Sequence, residues 1–164
     1  MKKLLFILLG VFYLQTNAQS TTIAEESFGI SYTASTLSEG FDFGIGLVAS
    51  QDFYSSGLGL GWMVQLSYLQ PSEAMLDLID YGYSFDVLLK YDLALAKGLQ
   101  FAPTAGVGYF AIESDLDSDV EFYFAAGGAV SYFISNSFVL GLELTKPFLE
   151  GSNTSLAFSM RFNY

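Results

Sequence analysis

The carboxyl-terminal ten residues constrain the fold of this chain more than any other segment. A large apolar side chain occupies every even-numbered position, and mostly small or polar residues occupy the odd ones. Because alternate side chains of a β-strand point to opposite faces, the segment predicts a strand with one apolar and one polar face. In a soluble protein such a strand would be an edge prone to aggregation, whereas in a membrane barrel it would close the sheet. The even-numbered residues are Leu156, Phe158, Met160, Phe162 and Tyr164.

The amino terminus has the pattern of a secretory signal peptide. Two lysines precede an apolar run from Leu4 to Leu14, and the small residue Ala18 suits a cleavage site. The apolar run is too short to span a bilayer as a helix. We therefore expect residues 1–18 to be a signal peptide and residues 19–164 to form the exported domain.

Composition excludes several classes of protein. Hydrophobic residues make up 52% of the chain and charged residues 14%. Even so, no apolar run after the predicted signal approaches the ~18 residues that a transmembrane helix needs. The chain has no cysteine, so no disulfide framework can stabilise it. The predicted mature chain has four basic and 17 acidic residues, a net charge near −13, which argues against nucleic acid as a partner.

Eight segments of alternating polarity follow the predicted signal. Phe, Tyr and Leu dominate one face, and Gly, Ser and Thr dominate the other. The pattern predicts an all-β fold, an eight-stranded antiparallel up-and-down transmembrane β-barrel whose interior is filled by small side chains. A secreted soluble ligand-binding barrel or sandwich is a minor alternative, but it would need a charged exterior. The segments are Glu26–Ala34, Gly40–Ala49, Leu58–Tyr68, Tyr81–Leu93, Leu99–Ala111, Val120–Phe133, Phe138–Thr145 and Ser155–Tyr164.

Individual positions in this pattern give further predictions. In the second segment, the alternation places Phe41 on the outward face with Phe43 and Ile45. The fifth segment contains Pro103, which a strand tolerates at a bulge or at a strand end. Aromatic residues cluster near the ends of the segments, so we expect two aromatic girdles at the two membrane interfaces.

The chain resembles the small eight-stranded bacterial outer-membrane proteins of the OmpX, OmpA transmembrane-domain and opacity-protein type. The resemblance covers essentially the mature chain, and its most specific element is the alternating terminal strand that ends on Tyr164. That strand looks like the family's carboxyl-terminal assembly signal, which implies recognition by the barrel assembly machinery. We expect a bacterial outer-membrane monomer with periplasmic termini, in contact with outer-membrane lipid and lipopolysaccharide.

The absence of histidine limits the chemistry available to the chain. Outer-membrane barrels that deacylate or transfer acyl chains resemble one another in using a histidine with a serine, and general-base catalysis near neutral pH most often uses histidine. A paired-carboxylate hydrolase built from Asp86 with Asp92 or Glu143 is the alternative, but inward carboxylates in such barrels more often pair with inward cations. We therefore expect no enzyme, no catalytic residue and no cofactor.

Lys90 and Arg161 are the cations that the alternation places inside the barrel. Arg161 lies on the eighth segment beside the seventh, where Glu143 also points inward. An unpaired arginine in a dry interior would be costly, so we predict a structural ion pair between Arg161 and Glu143, with a ligand-binding role as the alternative.

Two predicted extracellular loops carry weaker signals. Asp115, Asp117 and Asp119 alternate along one loop, a spacing that could supply oxygen ligands to Ca²⁺, although a solvated acidic loop is the favoured interpretation. The loop from Leu69 to Asp80 is apolar enough to cap the barrel mouth or to lie on lipid headgroups, and a partner surface is the alternative.

These observations favour a non-enzymatic role in envelope structure, envelope integrity or surface interaction such as adhesion. The alternative is a small pore or transporter for ions or apolar solutes. Because eight strands seldom enclose a water-filled channel, we expect the structural or interaction role.

Overall fold

The computed structural model describes residues 26–35, 40–53, 59–114, 118–150 and 152–164. The predicted signal peptide lies outside these residues. The described residues contain no helix long and apolar enough to cross a membrane. They form nine strands: β1 Glu26–Ser35, β2 Phe41–Asp52, β3 Leu60–Pro71, β4 Tyr81–Tyr91, β5 Leu93–Ala96, β6 Leu99–Glu113, β7 Ser118–Ser135, β8 Phe138–Pro147 and β9 Ser155–Asn163.

The strands form one closed antiparallel sheet. From β1 to β4 and from β5 to β9, each strand pairs with the next along the chain, and β9 pairs with β1 over the register from Ser27↔Asn163 to Ser35↔Leu156. Both β4 and β5 pair with β6, and because Asp92 alone separates them they act as one interrupted strand. The predicted eight-stranded up-and-down barrel is therefore confirmed.

The interruption at Asp92 explains how the sheet accommodates Pro103. The β4–β6 ladder ends at Lys90↔Thr104, and the β5–β6 ladder begins at Leu93↔Phe101. Pro103 lies in the gap between these ladders, and an interruption of this kind is where a strand tolerates a residue without an N–H. On the other side of the interrupted strand, the Asp92 N–H donates to the Gly59 carbonyl at 2.7 Å, which continues the pairing of β4 with β3 beyond Leu60↔Tyr91.

Glycines lie where adjacent strands approach most closely. An ideal Cβ at Gly29 of β1 would lie 1.9 Å from the carbonyl oxygen of Met160 on β9, and one at Gly106 of β6 would lie 2.0 Å from that of Val87 on β4. No side chain fits at these distances, so glycine permits the tight curvature of a small barrel.

The barrel interior is filled by side chains, with an apolar cluster among β2, β3, β4, β6 and β7. Phe41 belongs to this cluster, so its predicted outward orientation is wrong. A register irregularity between Phe41 and Phe43 turns Phe41 inward, where its ring meets that of Phe110 edge-on at 5.6 Å. The buried members are Phe41, Val48, Met63, Leu69, Ile79, Leu88, Phe110, Tyr123 and Ala125.

Candidate functional site

The outer wall of the barrel is apolar. Large side chains that alternate with the interior residues point away from the barrel, and Phe122 is 79% exposed. On β9, Phe158, Met160 and Phe162 are exposed while Arg161 is buried, as the terminal alternation predicts. This arrangement is the reverse of a soluble barrel, which buries its apolar face.

Aromatic contacts mark both edges of this apolar wall. Toward one edge, ring centroids lie 6.0 Å apart in the pairs Tyr68–Tyr81 and Tyr83–Tyr109. Near the other edge, the Phe138 and Phe162 rings are 5.5 Å apart. These contacts agree with the two predicted girdles.

The spacing along β4 gives the height of the apolar wall. The interval between Tyr83 and Tyr91 spans about 26 Å along the strand at 3.3 Å per residue. At a strand tilt of ~40° this becomes about 20 Å along the barrel axis, near the ~25 Å apolar band of membrane barrels.

The end of the barrel that carries both chain termini is termed the turn end, and the opposite end is the loop end. At the turn end, the Glu26 N–H donates to the Asn163 side-chain oxygen and the Tyr164 N–H donates to the Glu26 carbonyl, both at 3.0 Å. The start of β1 and the end of β9 are thereby tied together. Tyr164 itself is 82% exposed, and Leu156 is half-buried near the loop end.

Lys90 forms a buried ionic cluster inside the turn end. Its Nζ lies 2.6 Å from Asp92 Oδ2, to which it donates a hydrogen bond, and 2.7 Å from Asp52 Oδ1. Lys90 and Asp52 therefore form an ion pair across the interior of the barrel. All three side chains are almost fully buried, so one cation neutralises part of the charge of two carboxylates.

The predicted partners Arg161 and Glu143 both point into the barrel and are nearly inaccessible to solvent. Glu143 Oε1 accepts a hydrogen bond from Ser159 (2.9 Å), and Arg161 Nη2 donates to Ser131 (2.7 Å). An ideal Cβ on Gly141 would lie 3.0 Å from Arg161 Nη2 and 3.1 Å from Glu143 Oε1, so these atoms are at most about 6 Å apart. The predicted pair thus occupies one side of the interior, around a glycine that leaves room for it.

Asp86 is the third inward carboxylate that the sequence singled out. Its Oδ1 accepts a hydrogen bond from the Tyr123 hydroxyl at 2.8 Å, whereas Asp92 binds Lys90 and Glu143 binds Ser159. A hydrolytic carboxylate pair needs two carboxyl groups that face one substrate. Here each of the three has a different protein partner.

A small polar cavity lies beside Asp86 near the loop end. Its volume is about 10 Å³, roughly the space that one water molecule requires. The cavity is lined by Thr33, Gln65, Ser67, Leu69, Ser84, Asp86, Thr145 and Ser155.

The loop between β3 and β4 folds over the barrel mouth. Ile79 is buried in the apolar cluster and Met75 is half-buried against it, while Leu76 and Leu78 stay exposed. A helical turn positions them, because the N–H groups of Leu78 and Ile79 both donate to the Met75 carbonyl at 2.9 Å. This geometry fits the capping interpretation of the loop.

The predicted calcium ligands fall mostly outside the described structure. Asp115 and Asp117 are not among the described residues, and Asp119 is exposed at the start of β7. Within the described residues, no group of three or more His, Cys, Asp or Glu side chains is placed to hold a metal ion.

Sequence reasoning missed the Lys90 cluster. It identified Lys90 as inward but placed Asp52 in a connecting loop. The alternation itself could have identified this cluster, because Asp52 follows the buried residues Val48 and Ser50 at the same two-residue spacing and therefore points to the same face of the strand. Extending the second segment by three residues would have brought Asp52 inside.

Comparison with solved structures identifies the architecture. The chain is similar to the N-terminal β-barrel domain of Pseudomonas aeruginosa OprF, with a TM-score of 0.60, 16% identity, and coverage of 86% of this chain and 99% of that one. The chain has the fold of the small eight-stranded outer-membrane barrels. It is also similar to Ail, the attachment invasion locus protein of Yersinia pestis, with a TM-score of 0.55, 15% identity, and coverage of 87% and 99%.

A third similar structure is Neisserial surface protein A, with a TM-score of 0.53, 13% identity, and coverage of 86% of this chain and 96% of that one. No protein-family model matches the sequence, and comparison with curated proteins gives no match. At these identities the likeness shows the fold alone.

Proposed function

We propose that the chain is a non-enzymatic outer-membrane barrel protein that acts in envelope structure or in interactions at the cell surface. The observation that carries this proposal is the inside-out distribution of side chains. Apolar residues cover the outer wall, while ion pairs, hydroxyl groups and an apolar cluster fill the interior. Such a surface is stable in a bilayer, where lipid covers it, and would aggregate in water.

The filled interior favours this role over that of a pore. The polar cavity beside Asp86 has room for about one water molecule, and Ile79 and Met75 cover the mouth above it. A conducting pore needs a continuous water-filled path through the barrel. The described interior provides side chains where that path would run.

The orientation follows from the connections. Outer-membrane barrels have short periplasmic turns and longer extracellular loops. The two-residue turns 97–98 and 136–137 lie at the turn end with both termini, so the turn end faces the periplasm in this proposal. The exposed residues of β9 would then present the terminal signal to the assembly machinery, and the barrel would be a monomer surrounded by lipid and lipopolysaccharide.

Cell fractionation tests the membrane location. We expect the full chain, expressed with its own signal, to fractionate with the outer membrane and to migrate differently on gels with and without heating. Deletion of Phe162 to Tyr164 should reduce both behaviours. Recovery of the full chain as a soluble periplasmic protein would contradict the proposal.

Planar-bilayer recording tests the choice between a filled barrel and a pore. We expect the folded protein to give no stable conductance steps under conditions in which a known porin conducts. Reproducible steps that persist after removal of contaminating porins would favour the pore.

A further inference from the structure

The strand ladders end unevenly at the loop end of the barrel. β7 pairs with β6 from Ser118 onward but with β8 only from Ala125 onward, seven residues later. On every other strand that reaches this end, the two ladders finish within three residues of each other. At about 3.3 Å per residue, this step is roughly 23 Å long on the β8 side of β7.

Main-chain polar groups face this open side. The Phe148 N–H donates to the Phe124 carbonyl at 2.7 Å, so the main chain of Phe124 faces the β8 side of β7. Because main-chain groups alternate in direction along an extended strand, those of Val120 and Phe122 face the same side. Within the described residues, β8 pairs with β7 no further than Pro147, and so provides these groups with no ladder partner.

The two faces of the same segment differ in chemistry. Val120, Phe122 and Phe124 point outward and are 48%, 79% and 73% exposed. Asp119 and Glu121 alternate with them on the other face and are also exposed. The segment therefore offers main-chain hydrogen bonds, an apolar face and an acidic face over a single short length.

We infer that this edge of β7, residues 118–124, binds an extended, cationic segment of another protein by strand addition. Main-chain hydrogen bonds provide affinity in strand addition, and alternate side chains provide specificity. A complementary strand would place apolar side chains beside Val120 and Phe122 and basic ones beside Asp119 and Glu121. The inference rests on the proposed function, since the loop end must face the cell exterior for such a partner to reach it.

Charge decides against a second copy of this chain as the occupant. Pairing of two β7 edges would bring Asp119 and Glu121 of one copy close to the same acids of the other, which like-charge repulsion disfavours. Other exposed acids, Asp80 and Glu150, lie in the connections at this end. The basic residue Lys146 is already engaged, because its Nζ donates to the Ser152 carbonyl.

A peptide-binding experiment tests the inference. The folded full barrel in nanodiscs of zwitterionic phosphatidylcholine is titrated with a short peptide of alternating lysine and valine. The matched probe alternates glutamate and valine, and empty nanodiscs measure binding to lipid. We expect the lysine peptide to bind the protein and the glutamate peptide to bind at least tenfold more weakly at low salt. Equal binding of the two peptides would overturn the inference.

Substitutions at the edge separate strand addition from general attraction. Val120→Pro removes an N–H from the open side, whereas Val120→Ala keeps it, so we expect Val120→Pro to bind about fivefold more weakly than Val120→Ala. Equal binding by these two variants would show that the edge is not the site. Migration on unheated gels verifies that both variants are folded.

Charge variants test the acidic face. Asp119→Asn with Glu121→Gln should weaken binding several-fold at low salt and much less at high salt. Asp42→Asn with Glu73→Gln removes two exposed acids elsewhere and should leave binding unchanged; an equal loss would indicate diffuse attraction and overturn the inference.

Self-association that Val120→Pro abolishes would show that a second copy of this chain binds the edge instead, and would overturn the inference. If the protein fractionates with the outer membrane but does not bind the lysine peptide, this inference is wrong and the proposed function still stands.

Discussion

The two ends of the barrel are built in opposite ways. At the turn end, the ladders of β1 with β2 and with β9 finish within one residue of each other, hydrogen bonds tie β1 to β9, and a buried cation links two strands through Lys90 and Asp52. At the loop end, β7 continues seven residues past β8, and a loop folds into the mouth. The difference shows that closure of the sheet is secured at the turn end, which leaves the loop end free to vary in shape.

The largest effect is expected from breaking the ionic cluster of the turn end. Lys90→Met leaves Asp52 and Asp92 buried without their cation, and removal of one partner from a buried ion pair costs about 3–5 kcal/mol. The measurement is urea unfolding in detergent micelles, followed by Trp62 fluorescence. Lys97→Met, in the exposed turn nearby, is the control and should cost about 0.5 kcal/mol or less. Equal losses would contradict a tightly secured turn end.

A slightly smaller loss is expected at the predicted pair of Arg161 and Glu143. Arg161→Leu leaves the Glu143 carboxylate buried near Gly141, and we expect a loss of about 3 kcal/mol in the same unfolding assay. The double variant Arg161→Leu with Glu143→Leu should recover part of that stability, because both charges are removed together. If the two single losses simply add, the two groups do not stabilise each other.

At the loop end, shortening one buried side chain tests whether the loop that covers the barrel mouth contributes to stability. Ile79 is 8% exposed, so Ile79→Ala should cost about 2 kcal/mol through lost burial and a residual cavity. Leu78 is 65% exposed in the same loop, and Leu78→Ala should cost about 0.5 kcal/mol or less. A fully stable Ile79→Ala variant would mean that the loop cap adds nothing to the barrel.

The smallest effect is expected on the open edge of β7. Val120→Pro removes an N–H that has no ladder partner on the β8 side, so stability should fall by about 1 kcal/mol or less. Glu121→Pro removes an N–H that faces β6 at the pair Phe110↔Glu121, and should cost about 3 kcal/mol. Comparable losses in the two variants would indicate that the edge of β7 is covered in the folded protein.

Much of the fold could be predicted from the period-two alternation. The predicted segment Tyr81–Leu93 corresponds to β4 and the start of β5, and the segment Phe138–Thr145 lies within β8. The prediction was wrong at Phe41, because a register irregularity reverses the face of every residue beyond it and a single sequence gives no sign of such a shift.

Less of the interior could be predicted. The inward direction of Lys90, Arg161 and Glu143 follows from the alternation of side chains along each strand. The partners of an inward charge, however, depend on the register between strands. Asp52 reaches Lys90 because β2 extends three residues further toward the turn end than the predicted segment that ends at Ala49. The partial burial of Met75 likewise depends on how its loop folds back, which polarity alone does not specify.

Apart from positions beyond a register irregularity, such as Phe41, the sequence by itself determined which side chains face outward and which face the interior. It also determined that the terminal strand closes the sheet and that the chemistry of histidine is absent. These properties are local, since they follow from alternation and composition. Only the tertiary structure decided where the ladders end, which acids meet Lys90 and, within the described residues, that β8 stops pairing with β7 seven residues before β6 does. Those properties depend on the relative stagger of neighbouring strands, which closure of the whole barrel sets and no single segment encodes.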